Sequence, residues 1–293
     1  MKMKIRRKND NIAYLYILPA FILSLVFIYY CIGFTFSSSL TDWDGMSKEM
    51  NFVGLKNYIK LFNDRTFYIA IKNNLVFFVG TVFVQAMLGF ILAVLIKETS
   101  IGSNVFKAIY FLPIAMATSI ITGIFRIILN PTTGSLNVFF RAIHLDVFAQ
   151  SWLGDPTLAL FSVIGVNIFQ WMGFSMIIYY SSLMSIPEDI YESAQIEGAG
   201  FFRTLYSITL PIVHSTTNLL IVLGIVGSLK TFDIVKLLTN GGPGRATTVL
   251  NTYLYEKAFS NFAAGEAATI GIFILALALF MSYLQVKVSR END

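Results

Sequence analysis

Residues 185–211 read SIPEDIYESAQIEGAGFFRTLYSITLP. The charges of this stretch (Glu188, Asp189, Glu192, Glu197 and Arg203) separate two charge-free runs, 156–187 and 204–229. Ser185 followed by Glu188 has the spacing of a capping box, and Pro187 falls in the first turn. Glu188, Asp189 and Glu192 crowd the end where the helix dipole favours negative charge. Gly198 and Gly200 should end or bend this helix. A helical pattern resumes from Phe201 to Ile208, and Pro211 stands where a further helix can begin. The expectation is a helix–bend–helix at a membrane surface, where Ala194, Gly198 and Ala199 let another surface come close. By pattern alone, an ordinary interfacial connector accounts for it.

The rest of the chain sets this stretch in a membrane protein. Charged residues are 13% of the 293, hydrophobic residues 56%, and mean hydropathy is +0.68; a soluble domain carries about a quarter charged. Six runs of at least 18 residues lie between charges: 11–41, 73–96, 108–125, 156–187, 204–229 and 267–286. Crossing a bilayer core of about 30 Å takes roughly 20 mostly apolar residues. Six spans are therefore predicted, near 12–36, 74–96, 107–129, 157–184, 210–230 and 267–287, in one domain covering 12–287.

Five of the first eight residues are cationic. The apolar run behind them is too long for a signal-peptide core, so residues 1–11 are read as a cytoplasmic tail before an uncleaved span. With both termini inside, ten Lys/Arg fall on the cytosolic side and eleven outside, so the other loops add no topological signal. Cys31 is the single cysteine, which rules out an intrachain disulfide and a thiol-metal site. The net charge of +4 reflects the basic amino terminus. No basic face interleaved with aromatics points to nucleic acid.

Chemistry inside the runs is sparse. Asn167, Gln170, Trp171 and Phe174 recur at i, i+3, i+4 and i+7, one helical face carrying amides and rings. Such a face suits a sugar, whose hydroxyls bond amides and whose apolar side stacks on rings; interhelix packing is the alternative. Gly224 and Ser228 lie one turn apart in the fifth run and can line the same cavity. Asn218 reads as a packing residue, and Gln85 suits either role. No cation is expected in this half of the pocket, which favours a neutral sugar. The segment 55–63 reads as an interfacial helix with Leu55, Tyr58, Ile59 and Phe62 on one face. His144 and His214 lack catalytic partners, and GGPGRAT at 241–247 lacks the lysine and spacing of a phosphate-binding loop.

The pattern of Glu192, Ala194, Gly198, Ala199, Ile208, Leu210 and Pro211 resembles the cytoplasmic coupling loop of ATP-binding-cassette importer permeases. Ser193, Glu197 and Ser215 depart mildly from the family's usual Ala, Asp and Pro. FVGLKNY (52–58), LTNGGP (238–243) and YLYEKAF (253–259) are similar to the carbohydrate branch, of the maltose and glycerol-phosphate type. The resemblance implies an all-α, six-span type I importer fold and no enzyme activity in this chain. It implies a heterodimer with a second, different permease and two ATPase subunits that bind ATP and Mg. It also implies an extracytoplasmic binding protein delivering a carbohydrate, expected to be a di- or oligosaccharide, and a multi-pass place in a bacterial cytoplasmic membrane. On the same basis Glu192, Ala194, Glu197, Gly198 and Ala199 would contact the ATPase. Asn167, Gln170, Trp171, Phe174, Gly224 and Ser228 would line the path. Asn240, Gly241, Gly242, Pro243 and Arg245 would meet the binding protein. A secondary transporter or channel is the rival, but it would be expected to carry ionisable residues within its spans. A membrane enzyme would need a His/Asp/Glu cluster with basic or metal-binding companions, which the chain lacks.

Overall fold

The computed structural model describes residues 10–98 and 102–291, all helix and connecting loop apart from one isolated bridge, Thr41 to Phe52. Residues 1–9 of the expected tail (1–11), residues 99–101 of an inner loop and residues 292–293 lie outside the described residues, while residues 10 and 11 already belong to α1. In chain order the α-helices are α1 Asp10–Ser24, α2 Cys31–Ser39, α3 Lys56–Asn63, α4 Arg65–Glu98, α5 Ser103–Ala115, α6 Thr118–Ile128 and α7 Ser135–Ala142. They continue with α8 Ala159–Met184, α9 Glu188–Ile196, α10 Phe201–Thr204, α11 Leu210–Ile212, α12 His214–Leu229, α13 Asp233–Leu238, α14 Leu250–Tyr255 and α15 Ala264–Glu291. A π-helical turn, Leu25–Tyr30, joins α1 to α2.

Among the described residues, four stretches are long and apolar enough to cross a membrane: Tyr16–Ser39, Arg65–Glu98, Ala159–Met184 and Ala264–Gln285. Two further helix pairs are long and apolar enough only when taken together, and each is sharply bent. The third run, expected as one helix, bends by 97° between α5 and α6. Pro113 lacks the N–H that would continue the helix, and Met116 and Ala117 are extended, with ψ of 144° and 139°. The fifth run bends by 61° at Val213, between Phe201–Ile212 and α12. Pro211 is the second residue of the short α11, as its place at a helix start predicted, and the break follows within two residues. A π-helical segment, Leu205–Thr209, precedes it, as suits a ladder that must pass a residue with no N–H.

The chain divides into two compact units. The first comprises Met1–Asn63 and Leu254–Phe273. Here the Asn57 amide donates to the carbonyls of Ser39 (2.9 Å) and Thr41 (2.7 Å). Glu266, in the first turn of α15, is paired with Lys60 and, at 2.8 Å, with Lys257. Leu55, Ile59 and Phe62 are exposed along α3, as an interfacial helix requires. Tyr58 departs from that face, because its hydroxyl lies 2.8 Å from Ser39 Oγ.

The second unit comprises Asp64–Tyr253 and Ile274–Asp293. Its frame is the pairing of α4 with α8, joined by α5 and α12. A Cβ on Gly89 of α4 would come within 2.6 Å of Ser175 Cβ and 2.9 Å of the Met176 nitrogen. A Cβ on Gly173 of α8 would lie 1.9 Å from the Tyr110 carbonyl oxygen of α5. Small residues at these crossings let backbones meet, which is how helices associate where lipid is as apolar as leucine. Two apolar clusters result. One gathers Phe77, Val163, Ile164, Val235 and Val249, and the other gathers Ala93, Met176, Tyr179, Leu183 and Val213. Along α4 and α8, the polar residues Thr81, Gln85 and Gln170 lie between the two sets.

Candidate functional site

That polar layer opens into a cavity of about 350 Å³. All four residues of the predicted α8 face, Asn167, Gln170, Trp171 and Phe174, line it, and so do Gly224 and Ser228 of α12. Their roles differ. Gln170 is 3% exposed and donates to Thr118 Oγ1 at 3.2 Å, bracing the broken third span. Trp171 stands edge-on to Phe174, with ring centroids 6.1 Å apart. Ser228 donates its hydroxyl to the Ile225 carbonyl at 2.9 Å, so it supports α12 more than it faces a ligand. Gly224 makes room for Val82, whose methyl carbons would sit 2.5 and 2.9 Å from an added Cβ. Among the described residues, neither the Asn167 carboxamide nor the Trp171 indole nitrogen has a hydrogen-bond partner. Each is a polar group on a cavity wall, where a ligand's hydroxyls can satisfy it. Gln85 reaches the wall while donating to Ser175 Oγ at 2.9 Å, so it serves both roles open to it. Asn218 lies 3.4 Å from the His214 ring nitrogen one turn earlier.

The wall also holds residues the sequence did not announce. Lys230, Thr231, Phe232 and Asp233 line the cavity where α12 gives way to α13. The expectation that this half supplies no cation is therefore corrected. Lys230 ends the charge-free run, yet the turn into α13 brings it onto the cavity. Thr118 joins the wall because the 97° bend starts α6 beside Gln170.

Next to the cavity, two asparagines of α4 tie down the segment that follows α13. Asn73 donates to the carbonyls of Thr248 (2.9 Å) and Arg245 (3.3 Å). Asn74 donates to the Ser228 carbonyl at 3.1 Å and accepts the Leu250 N–H at 2.7 Å. The turn at 240–245 is knit further by Thr247 donating to the Gly242 carbonyl (2.7 Å) and Thr248 to that of Gly241 (3.0 Å). Within it Gly241 is buried, Gly242, Pro243 and Arg245 are half-buried, and Asn240 is exposed, with a cis peptide at Gly242–Pro243. Of the residues expected to meet a binding protein, Asn240 is the one that faces outward most fully.

At the other end of α8, the loop of residues 185–211 takes shape around α9. Its start differs from the expected capping box. Ser185 closes α8 and donates to the Ser182 carbonyl at 2.7 Å, while Pro187 occupies the N-cap position. The serine hydroxyl is captured by the preceding helix, so Glu188 has no capping partner there. The end of α9 is as the glycine predicted. Gly198 adopts φ of +77°, its N–H donates to the Gln195 carbonyl (3.0 Å), and the Ala199 N–H donates to that of Ala194 (2.9 Å). These are the two bonds of a Schellman turn, whose left-handed residue favours glycine. Gly200, with φ of −72° and ψ of 168°, then starts α10 as its N-cap.

Ala194, expected on the outer face, is turned inward and only 6% exposed. Ala199 is half-buried, whereas Glu192, Glu197 and Gly198 are exposed. A Cβ on Gly198 would meet nothing within 4 Å. Around it stand uncovered apolar side chains: Ile196, 88% exposed, with Phe201, Phe202 and Tyr206. Exposed apolar groups beside Glu192 and Glu197 give this loop a face that a membrane surface or a partner can cover.

Comparisons with known proteins identify relatives of the whole chain and a solved structure of the same fold. A probable ABC transporter permease of Bacillus subtilis, YurN, is 36% identical over 287 residues, spanning 97% of this chain and 98% of that protein. The trehalose/maltose transport system permease MalF of Thermococcus litoralis is 31% identical over 290 residues, 99% of this chain and 98% of that one. A chain from the crystal structure of a bacterial ABC transporter that imports the acidic polysaccharide alginate superposes with a TM-score of 0.83 at 28% identity. That match covers 96% of this chain and 95% of the other. Residues 85–291 match the family described as the binding-protein-dependent transport system inner membrane component. With its all-helical architecture, its broken spans and a solved structure of the same fold, the chain belongs to that family of ABC importer permeases.

Proposed function

We propose that this chain is the permease subunit of an importer that moves a carbohydrate inward by alternating access, driven by ATPase subunits bound at the loop around α9. The observation that carries the reading is the cavity at the α4–α8–α12 junction, where Asn167 and Trp171 present unpartnered polar groups beside aromatic rings. Amides and an aromatic face are what a hydroxylated ring with one apolar side binds. The relatives named for trehalose/maltose and alginate support a saccharide, and cavity size suits one or two sugar rings of a di- or oligosaccharide. Lys230 and Asp233 on the wall allow charge-assisted hydrogen bonds, so an acidic saccharide fits as well as a neutral one.

The partners follow from the family. ATP and Mg are assigned to two partner ATPases docked on the exposed surface around Gly198, and this subunit is assigned no cofactor. A second, different permease completes the heterodimer, and a binding protein loads it from the side of Asn240 and Arg245. A chain alginate-importer structure determined with a sugar-loaded periplasmic protein supports that last step. Lipid surrounds the spans, both termini are cytoplasmic, and nucleic acid has no part. Deleting the chain should abolish ATP-dependent uptake of one class in a panel of radiolabelled mono-, di- and oligosaccharides. Unchanged uptake of the whole panel would overturn the carbohydrate assignment.

A further inference from the structure

We infer that Lys97 is a positioning residue: its ammonium group on the ring of Tyr191 couples motion of the loop around α9 to the wall of the substrate cavity, through α4. The inference rests on the proposed ATPase-docking role of that loop.

Tyr191 sits mid-way along α9, half-buried, and packs against the cluster of Met176, Tyr179 and Leu183. Lys97 Nζ lies 3.8 Å from its ring centroid, well inside cation–π range. The Tyr191 hydroxyl is 3.5 Å from Thr209 Oγ1. Around this contact lies a cavity of about 220 Å³, lined among others by Lys97, Tyr191, Gln195, Thr204 and Thr209. The loop is thus not packed solidly onto the helix ends, and the tyrosine is a discrete point of support.

Beside the direct link back through Ser185–Pro187 into α8, two further routes lead from α9 to the substrate cavity. The covalent route runs through the Schellman turn at Gly198, the π-helical segment Leu205–Thr209 and the 61° break before α12. Each of these can absorb a displacement. The other route crosses from Tyr191 to Lys97 in the last turn of α4, a helix continuous from Arg65 to Glu98. Gln85, twelve residues before Lys97 and about 18 Å along the axis at 1.5 Å per residue, already belongs to the cavity wall, as does Thr81. An unbroken helix moves as a body, so a push on Tyr191 reaches Thr81 and Gln85 with little loss.

The test uses the assembled transporter with Cys31→Ser and a reporter, Thr81→Cys, on the cavity wall. N-ethylmaleimide labelling of the reporter is timed with and without Mg-ATP and vanadate, alongside the ATP hydrolysis rate. With wild-type Lys97, nucleotide should change the labelling rate. Lys97→Met, which keeps the apolar stem, should shrink that change roughly three- to fivefold, the scale of a partly exposed cation–π contact, with hydrolysis unchanged. Lys97→Arg should restore it. Tyr191→Phe should retain the change and Tyr191→Leu should lose it, which decides the matter if Lys97→Met fails to assemble. Combining Lys97→Met with Tyr191→Leu should be no worse than either alone. The inference is overturned if Lys97→Met labels like wild type, or if Lys97→Arg falls as far as Lys97→Met. If no ATPase assembles with the wild-type chain, the docking role fails and this inference with it; assembly with unaltered coupling in Lys97→Met removes this inference alone.

Discussion

Gly198 separates backbone strain from partner contact. Its φ of +77° penalises any side chain, but an added Cβ would meet nothing within 4 Å in this chain. The intramolecular cost of Gly198→Ala is therefore the left-handed conformation alone, about 1–2 kcal/mol. Asparagine tolerates that region better, so Gly198→Asn should cost the isolated subunit less still. If the ATPase closes over the open space at Gly198, side-chain volume matters where strain does not. Gly198→Asn and Gly198→Asp should then both weaken ATPase binding by more than about 2 kcal/mol, roughly 30-fold, as a central contact does. Asp should be the worse, since it adds charge beside the exposed Glu197. Two measurements suffice: denaturant unfolding of each variant in detergent, and titration of immobilised variant with ATPase. Near-normal ATPase binding by Gly198→Asn would refute the reasoning, because the space would then be solvent and the glycine needed only for its turn.

Three further outcomes are expected. Asn74→Ala leaves the buried Leu250 N–H without its partner and removes one of the donors to the Ser228 carbonyl, which keeps the Thr231 N–H at 3.3 Å; the one unsatisfied N–H should cost about 1–3 kcal/mol, thermal unfolding in detergent should register the loss, and a shift under about 1 kcal/mol would argue against a structural tie. Trp171→Ala, which removes a cavity ring and its free N–H, should raise the KM for uptake several-fold while leaving ATPase assembly intact; an unchanged KM would move the substrate away from this wall. Asp155 accepts hydrogen bonds from the Thr157 hydroxyl and N–H, at 2.6 and 2.7 Å, which holds its carboxyl below the usual carboxylate range. Its contribution to the turn before α8 is fully present above that range and lost as pH falls through the lowered folded value. Hydrogen exchange at Thr157 should therefore rise in acid, and Asp155→Asn should flatten the dependence.

Much of this molecule was legible because charge-free length is a one-dimensional property. The six apolar runs, the α8 face of Asn167, Gln170, Trp171 and Phe174, and the turn at Gly198 all depend on neighbours within two helical turns. Where spans break was less legible: Pro113 and Pro211 are visible in the sequence, yet a proline alone does not say whether a helix kinks or ends. The predicted capping box failed on a local competition, since the Ser182 carbonyl took the Ser185 hydroxyl before it could cap α9. Asn73 and Asn74 went unnoticed because their partners lie more than 150 residues away. Lys230 was hidden differently. A charge that closes an apolar run reads as solvated, and only the turn into α13 places it on the cavity.

The central claim is that a nucleotide-driven partner docks on the loop around α9. The most direct measurement is a mild-detergent purification of this chain from its native membrane, with mass spectrometry of everything it retains. Recovery of an ATPase and a second permease is expected, with the ATPase lost on Gly198→Asp and kept on Asn167→Ala. Recovery of the chain alone, or only with copies of itself, would contradict it.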